Sequence, residues 1–358
     1  MAVNDTNFVW NLRREVLQGL VDAGYKVTLV TQVLDFKEDI EKLGCKIINV
    51  NNSRRGTNPF SDLQLMKKYI EIFKAEKPDV VLTNNIKPNV YAGMACQKLK
   101  IPYMPNICGL GTPVENPGLM QKLTIFLYRK GVKGASAIFF QNSANRQFFY
   151  DHNMMPKNAN VVLTPGSGVN LQAHPALDWP DGDEIHFLYV ARVMKQKGID
   201  LFLAAARKYA DEKVIFDVCG QCDDENYKKI LAEEKSVRYH GLQKNITPFY
   251  KECSCFLYPS YYPEGMSNVL LEAAASARPV IAADRAGCRE TLEDGVTGFL
   301  VPVNDEEAVI NAVGRFLSMT KEEKMEMGRR GCEKIRREFD RRIVVEMFLE
   351  DIRKVLGE

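Results

Sequence analysis

Short apolar runs rich in Val, Ile and Phe recur along almost the whole chain, and helically spaced stretches fit between them. That alternation is the pattern of a parallel sheet with covering helices, which narrows the fold to the α/β class. In the first half the strand candidates are residues 26–33 (KVTLVTQV), 46–50, 78–83, 101–105, 136–141 and 160–164. The second half repeats the scheme at 185–191, 214–219, 236–240, 254–259, 279–283 and 298–301. Between the halves, residues 171–183 (LQAHPALDWPDGD) carry prolines, a glycine and acids without a period and read as a linker. The expected organisation is one doubly wound domain over 1–170, a second over 171–338, and an amphipathic helix over 339–358 that returns to the first. A length of 358 residues suits two such domains.

Composition removes several classes of function. Lys plus Arg number 48 and Asp plus Glu 46, a formal net charge of +2, which is no footprint for coating nucleic acid. The longest apolar run, Leu201 to Ala206, is six residues, far short of the roughly 20 needed to span a bilayer. Nine cysteines, an odd count in a large chain with no signal segment at its start, favour the cytoplasm over a disulfide scaffold. Cys219-Gly-Gln-Cys222 has the spacing of half a zinc site, but no second ligand pair accompanies it. The four histidines lie far apart, so no metal and no cofactor is expected.

Two loops carry the chemistry. Ala191-Arg192-Val193-Met194-Lys195-Gln196-Lys197-Gly198 joins a strand candidate to a helix, offering cations beside a helix N-terminus, the combination that suits a diphosphate. As an alternative, Arg192 and Lys197 are solvated loop charges. The second loop, Tyr258 to Ala275, again runs from strand to helix. Glu264 sits in the loop, Gly265 lets a ligand approach the backbone, Met266 follows, and Ser267 or Asn268 can cap the helix. Glu272 lies in an apolar helical run, where a carboxylate needs donors such as ribose hydroxyls or a neighbouring N–H. No GxGxxG follows a strand, which argues against a nicotinamide-dependent dehydrogenase.

Together the two loops resemble the retaining glycosyltransferases of family 4. Glu264 and Glu272 match that family's Glu-x7-Glu signature, and Arg192 with Lys197 matches its ARxxxxKG segment. Pro165-Gly166-Ser167-Gly168-Val169-Asn170, Gly287-Cys288-Arg289-Glu290 and Gly298-Phe299-Leu300-Val301-Pro302 extend the similarity over nearly the whole chain. The resemblance implies the GT-B fold, two Rossmann-like domains facing across a cleft. It further implies a nucleotide-sugar donor, UDP-linked in kind, with its diphosphate on Arg192 and Lys197, its sugar beside Glu264, and its ribose on Glu272. Gly265, Met266, Ser267 and Asn268 complete the donor set. A non-catalytic nucleotide-sugar-binding protein of the same fold would share most of these residues.

Arg55-Gly56-x-Asn58-Pro59, Lys87-Pro88, Gly109-Leu110-Gly111 and Phe140-Gln141-Asn142 are similar to bacterial enzymes of capsule and lipid-linked oligosaccharide assembly. This implies a hexose or N-acetylhexosamine moved to a polyprenyl-diphosphate-linked saccharide, with Asn4, Asn84, Lys87 and Asn106 as acceptor-side candidates. Relatives begin with about six strand residues before the loop at Asn4 and Asp5, whereas Met1-Ala2-Val3 precede it here. A shortened first strand is therefore expected, one that an upstream extension would stabilise. Residues 119–134 (LMQKLTIFLYRKGVKG) hold four basic residues and no acid. On a helix, Lys122, Arg129 and Lys133 share one face beside Leu119, Leu123, Phe126 and Leu127, a surface for anionic lipid on the inner side of the plasma membrane. The alternative is a helix that packs its apolar side on the sheet.

Overall fold

The computed structural model describes residues 1–50, 59–156 and 158–358. The Arg55-Gly56-x-Asn58 motif lies outside them. The chain forms two compact units, one made of Met1–Ser167, Pro263–Met266 and Arg341–Glu358, the other of Gly168–Tyr262 and Ser267–Asp340.

The first unit holds strands β1 (Ala2–Asp5), β2 (Thr28–Gln32), β3 (Lys46–Asn49), β4 (Val81–Asn84), β5 (Tyr103–Ile107), β6 (Ile138–Phe140) and β7 (Val161–Leu163). All pair in parallel in the order β3-β2-β1-β4-β5-β6-β7, so the winding reverses between β1 and β4. Strand β1 runs through both Asn4 and Asp5, which the sequence reading placed in a loop. The reason lies in the pairing: Asp5 stands opposite Gln32 of β2, and its carboxylate then accepts from Phe8 N to cap the following helix. One sheet face is packed by Val3, Leu82, Met104 and Phe139 against Leu17 and the C-terminal helix Arg341–Leu356. Phe348 of that helix stacks on Phe139 at 4.5 Å, and Arg341 donates to Glu15 at 2.8 Å. Both contacts explain why an amphipathic tail without a following strand remains helical: its apolar stripe has a sheet to cover.

The second unit holds β8 (Ile185–Val190), β9 (Val214–Cys219), β10 (Arg238–Gly241), β11 (Cys255–Tyr258), β12 (Val280–Ala283) and β13 (Gly298–Val301), ordered β10-β9-β8-β11-β12-β13. Every pair is again parallel, and here the winding reverses between β8 and β11. Phe187, Tyr189, Phe216, Val218 and Leu257 bury one face beneath the helix Ile199–Tyr209. The segment 171–183 has no regular element, yet it is no free linker. Buried Arg278 donates to Asp178 O at 2.6 Å and to Tyr250 O at 2.7 Å, and Trp179 packs on the core.

Candidate active site

In an open parallel sheet, ligands bind beyond the carboxyl ends of the strands where the winding reverses. For the second unit that place is the loop after β8 and the loop after β11. These are the two segments carrying Arg192, Lys197 and Ser267. They are welded together: Tyr261 N donates to Gln196 O at 2.9 Å, and Gly198, at φ 77°, lies so close to Pro259 O that any side chain would collide with it. Lys197 is 7% exposed, and its Nζ donates to the Tyr258 hydroxyl at 2.9 Å while lying 4.9 Å from the Tyr262 ring centre. Arg192 is exposed on the same loop.

The helix Asn268–Ala275 begins at this edge with Ser267 as its N-cap residue. The expected capping bond is absent. Ser267 is fully buried, and neither its Oγ nor the Asn268 Oδ1 has a hydrogen-bond partner among the described residues. The loop before this helix is anchored by its backbone: Ser267 N donates to Gly287 O at 2.8 Å, and Gly287 N donates to the Glu290 carboxylate at 2.7 Å. The Gly287-Cys288-Arg289-Glu290 motif thus fixes a helix N-terminus whose first amides carry partial positive charge. Glu272, one turn further, is half-buried and accepts from the Tyr250 hydroxyl at 3.2 Å. Burial and the Glu272 carboxylate hold the Tyr250 phenol well above its ordinary pKa, keeping it a donor.

Beside Arg192 a cavity of about 320 Å³ opens at the ends of β8, β9 and β10, lined by Val190, Gln221, Leu242, Gln243, Ile246 and Val269. The sequence reading did not single out these residues. Apart from Val269, which falls within the Glu264–Glu272 signature, they carry no motif and meet where three parallel strands end side by side.

Glu264, Gly265 and Met266 belong to the first unit. Asn142 Nδ2 donates to Gly265 O at 2.5 Å and to Glu264 O at 3.3 Å. A side chain on Gly265 would strike Cys108 O and Gln141 Oε1, and one on Gly166, at φ 65°, would strike Met266. The Phe140-Gln141-Asn142 and Pro165-Gly166 motifs are therefore the seat of this loop. Of the acceptor-side candidates, Asn84 and Asn106 stand opposite each other on β4 and β5, both buried. Asn106 leaves both side-chain amide atoms without a partner among the described residues. Asn4 N is bonded to Asn85 Oδ1 at 3.2 Å. Lys87 stands apart from the strand ends. It forms an ion pair with Asp62 at 2.9 Å, which also accepts from Tyr91.

The family comparison decides what kind of protein this is. Residues 3–142 match the family model described as Glycosyl transferase 4-like, and residues 184–319 match Glycosyl transferases group 1. The chain is a two-domain glycosyltransferase of the GT-B fold. Over 308 residues it is 24% identical to the N,N'-diacetylbacillosaminyl-diphospho-undecaprenol alpha-1,3-N-acetylgalactosaminyltransferase of Campylobacter jejuni, 81% of each chain being covered. Over 334 residues it is 23% identical to the capsular polysaccharide biosynthesis glycosyltransferase CapM of Staphylococcus aureus, covering 86% of this chain and 85% of that one. Among solved structures, a glycosyltransferase of Rickettsia africae superposes with a TM-score of 0.79 at 17% identity over 99% and 98% of the two chains. An Anabaena protein crystallised with UDP and glucose also superposes with a TM-score of 0.79, at 16% identity over 99% and 100%.

Among the described residues of this glycosyltransferase, no three His, Cys, Asp or Glu side chains converge as a metal site, and Cys219 and Cys222 are free thiols. No described helix is long and apolar enough to cross a membrane. The helix Leu119–Gly131 packs through Thr124, Tyr128 and Gly131 while Leu119, at 86%, and Phe126, at 53%, stay exposed. Its basic face differs from the expected one. Lys133 lies beyond the helix end, and Arg129 is tied to the carbonyls of His152 and Asn153 at 2.7 and 3.0 Å.

Proposed function

We propose that the enzyme transfers a hexose or N-acetylhexosamine from a UDP-sugar to a polyprenyl-diphosphate-linked saccharide in bacterial surface glycan assembly, with retention of anomeric configuration. The observation that carries the donor reading is the buried Lys197 ammonium, pinned by Tyr258 beside a helix N-terminus whose Ser267 hydroxyl has no partner among the described residues. Such an arrangement is built for a diphosphate. As the sugar departs, negative charge grows on the leaving UDP, and Arg192, Lys197 and the helix amides stabilise it without having to reorganise. The base occupies the cavity beside Arg192, the ribose hydroxyls donate to Glu272, and Glu264 meets the sugar.

In this reading the positive charge that a diphosphate needs comes from protein groups. Asn84 and Asn106, with Lys87 close by in sequence and Asn4 bonded to the neighbouring Asn85, are the acceptor-side residues. The name of the Campylobacter relative supports the lipid-linked acceptor, since it specifies a diphospho-undecaprenol substrate. Exposed Leu119, Leu123 and Phe126 with Lys122 and Lys130 supply the surface that meets anionic lipid at the inner face of the plasma membrane. The test is a panel of nucleotide sugars with an undecaprenyl-diphosphate-linked saccharide. UDP release that depends on acceptor, and an α-linked product from an α-linked donor, are expected. Turnover with a different nucleotide, or an inverted product, would overturn the corresponding part.

A further inference from the structure

On one face of the first unit's sheet, the apolar row Val3, Leu82, Met104 and Phe139 gives way two residues later to Asp5, Asn84, Asn106 and Gln141, all buried. Alternation along each strand puts both rows on the same face. Arg13 reaches the polar row at Asn84. It sits at the bend between the helices Thr6–Leu12 and Arg14–Asp22, at φ −138° and ψ 0°, and is fully buried. Its Nε donates to Asn84 Oδ1 at 3.1 Å, one terminal nitrogen to Leu12 O at 2.7 Å, and the other to Cys108 Sγ at 3.6 Å. All three acceptors are neutral. Glu15, two residues on, is already shared by Arg14 at 3.1 Å and Arg341 at 2.8 Å. Burial accordingly pulls the Arg13 pKa down from its ordinary value.

A buried guanidinium among neutral partners is costly, and an apolar side chain of similar volume would serve packing better. What the guanidinium adds is reach: a rigid fork that joins the helix bend, the end of β4 and the turn after β5. That turn, Cys108–Gly109, is one wall of the Glu264 loop. A side chain on Gly109, at φ 136°, would crowd Gly265 N, and one on Gly265 would collide with Cys108 O. Asn142 holds the same loop from its other side.

We propose that Arg13 is a positioning residue for glycosyl transfer, fixing the Cys108–Gly109 turn and through it Glu264. The inference rests on the reading of Glu264 as the group beside the donor sugar. Misplacement of a reacting group by about 1 Å can cost on the order of 100-fold in rate. Arg13→Met, which keeps the volume and removes the fork, should lower kcat by at least about tenfold while leaving KM for the donor within about twofold. Arg13→Lys should recover part of the loss. Eight of the nine cysteines are buried and Cys108 is partly exposed, so N-ethylmaleimide labelling of the native protein reads the turn without any turnover. Labelling of Cys108 should be several-fold faster in Arg13→Met than in wild type and close to wild type in Arg13→Lys. Unchanged labelling together with unchanged kcat in Arg13→Met would overturn the proposal, as would a loss confined to the thermal midpoint. If wild type transfers no sugar from any UDP donor, the functional reading fails, whereas the labelling comparison still decides whether Arg13 holds the turn.

Discussion

The ammonium of Lys197 donates to the phenol oxygen of Tyr258 across 2.9 Å, joining the loop after β8 to the last residue of β11. A long, flexible side chain is thereby fixed before any ligand arrives, and fixed charge is what stabilises a developing anion most effectively. Lys197→Ala and Arg192→Ala should each lower kcat/KM by about 100-fold, roughly 3 kcal/mol of transition-state stabilisation. Tyr258→Phe keeps the charge and loses only its anchor, so a smaller loss of about tenfold is expected. Acceptor-dependent UDP release measures all three. Wild-type rates in both cation variants would remove the diphosphate role.

Glu272 and Glu264 should separate in binding experiments. Glu272 accepts from the Tyr250 hydroxyl at 3.2 Å on the helix whose N-terminus faces the proposed diphosphate, so its loss should weaken UDP itself. Glu264 belongs to a loop held by Asn142, and its proposed contact is with the sugar. Titration calorimetry with UDP should find affinity reduced about tenfold or more in Glu272→Ala and little changed in Glu264→Ala, whose defect appears in transfer. Equal losses of UDP affinity would refute the division of roles.

Most strands were legible because they are compact β-branched or aromatic runs, unlike β10 (Arg238–Gly241) and the Asn4–Asp5 end of β1, and the two strand-to-helix loops because their residues are neighbours in sequence. Lys197 and Glu272 could be found without knowing what surrounds them. Arg13 could not: its partners Asn84 and Cys108 lie 71 and 95 positions away, and the bend that buries it arises from tertiary packing. The histidine contacts were hidden in the same way. His186 and His240 share no local motif, yet β8, β9 and β10 are consecutive in the sheet and bring both onto Asp217, at 2.9 and 2.7 Å. The expected Ser267 cap does not form, and its Oγ is left buried without a partner among the described residues.

The His186–Asp217 contact gives the second unit a pH-dependent stability. The bond to Asp217 raises the His186 pKa against the opposing effect of burial, with Glu184 at 3.2 Å adding to the rise. Burial works against the Asp217 carboxylate, but hydrogen bonds from His186 and His240 more than offset it and hold its pKa below the ordinary value. The His186 contribution is complete below the ordinary pKa of 6.5 and is lost as pH rises through the raised native value. The Asp217 contribution is present above 3.8 and lost as pH falls through the depressed native value. Stabilisation is therefore greatest between those limits. Thermal midpoints should fall from about pH 6 to about pH 8.5 in wild type by more than in His186→Gln. Parallel profiles for the two proteins would contradict the assignment.

The helix Leu119–Gly131 offers the last test, because its exposed groups are of two kinds that respond differently to solvent. Leu119, Leu123 and Phe126 are exposed, although the helix buries Thr124, Tyr128 and Gly131 on the core, and this arrangement leaves an apolar strip uncovered in water. Lys122 and Lys130 are exposed on the same helix, whereas Arg129 is occupied with backbone carbonyls of the His152 turn. Charge attraction to anionic lipid should therefore depend on the two lysines, and Arg129 should matter for folding. Lys122→Glu with Lys130→Glu should abolish flotation with phosphatidylglycerol vesicles at low salt and leave the thermal midpoint unchanged. Leu119→Ser with Phe126→Ser should reduce the binding that survives high salt, since salt screens the lysines and leaves apolar burial intact. Arg129→Glu should instead lower the midpoint. Undiminished flotation in both double variants would leave this helix with a purely structural role, and the lipid-linked acceptor would then have to meet the enzyme through another surface.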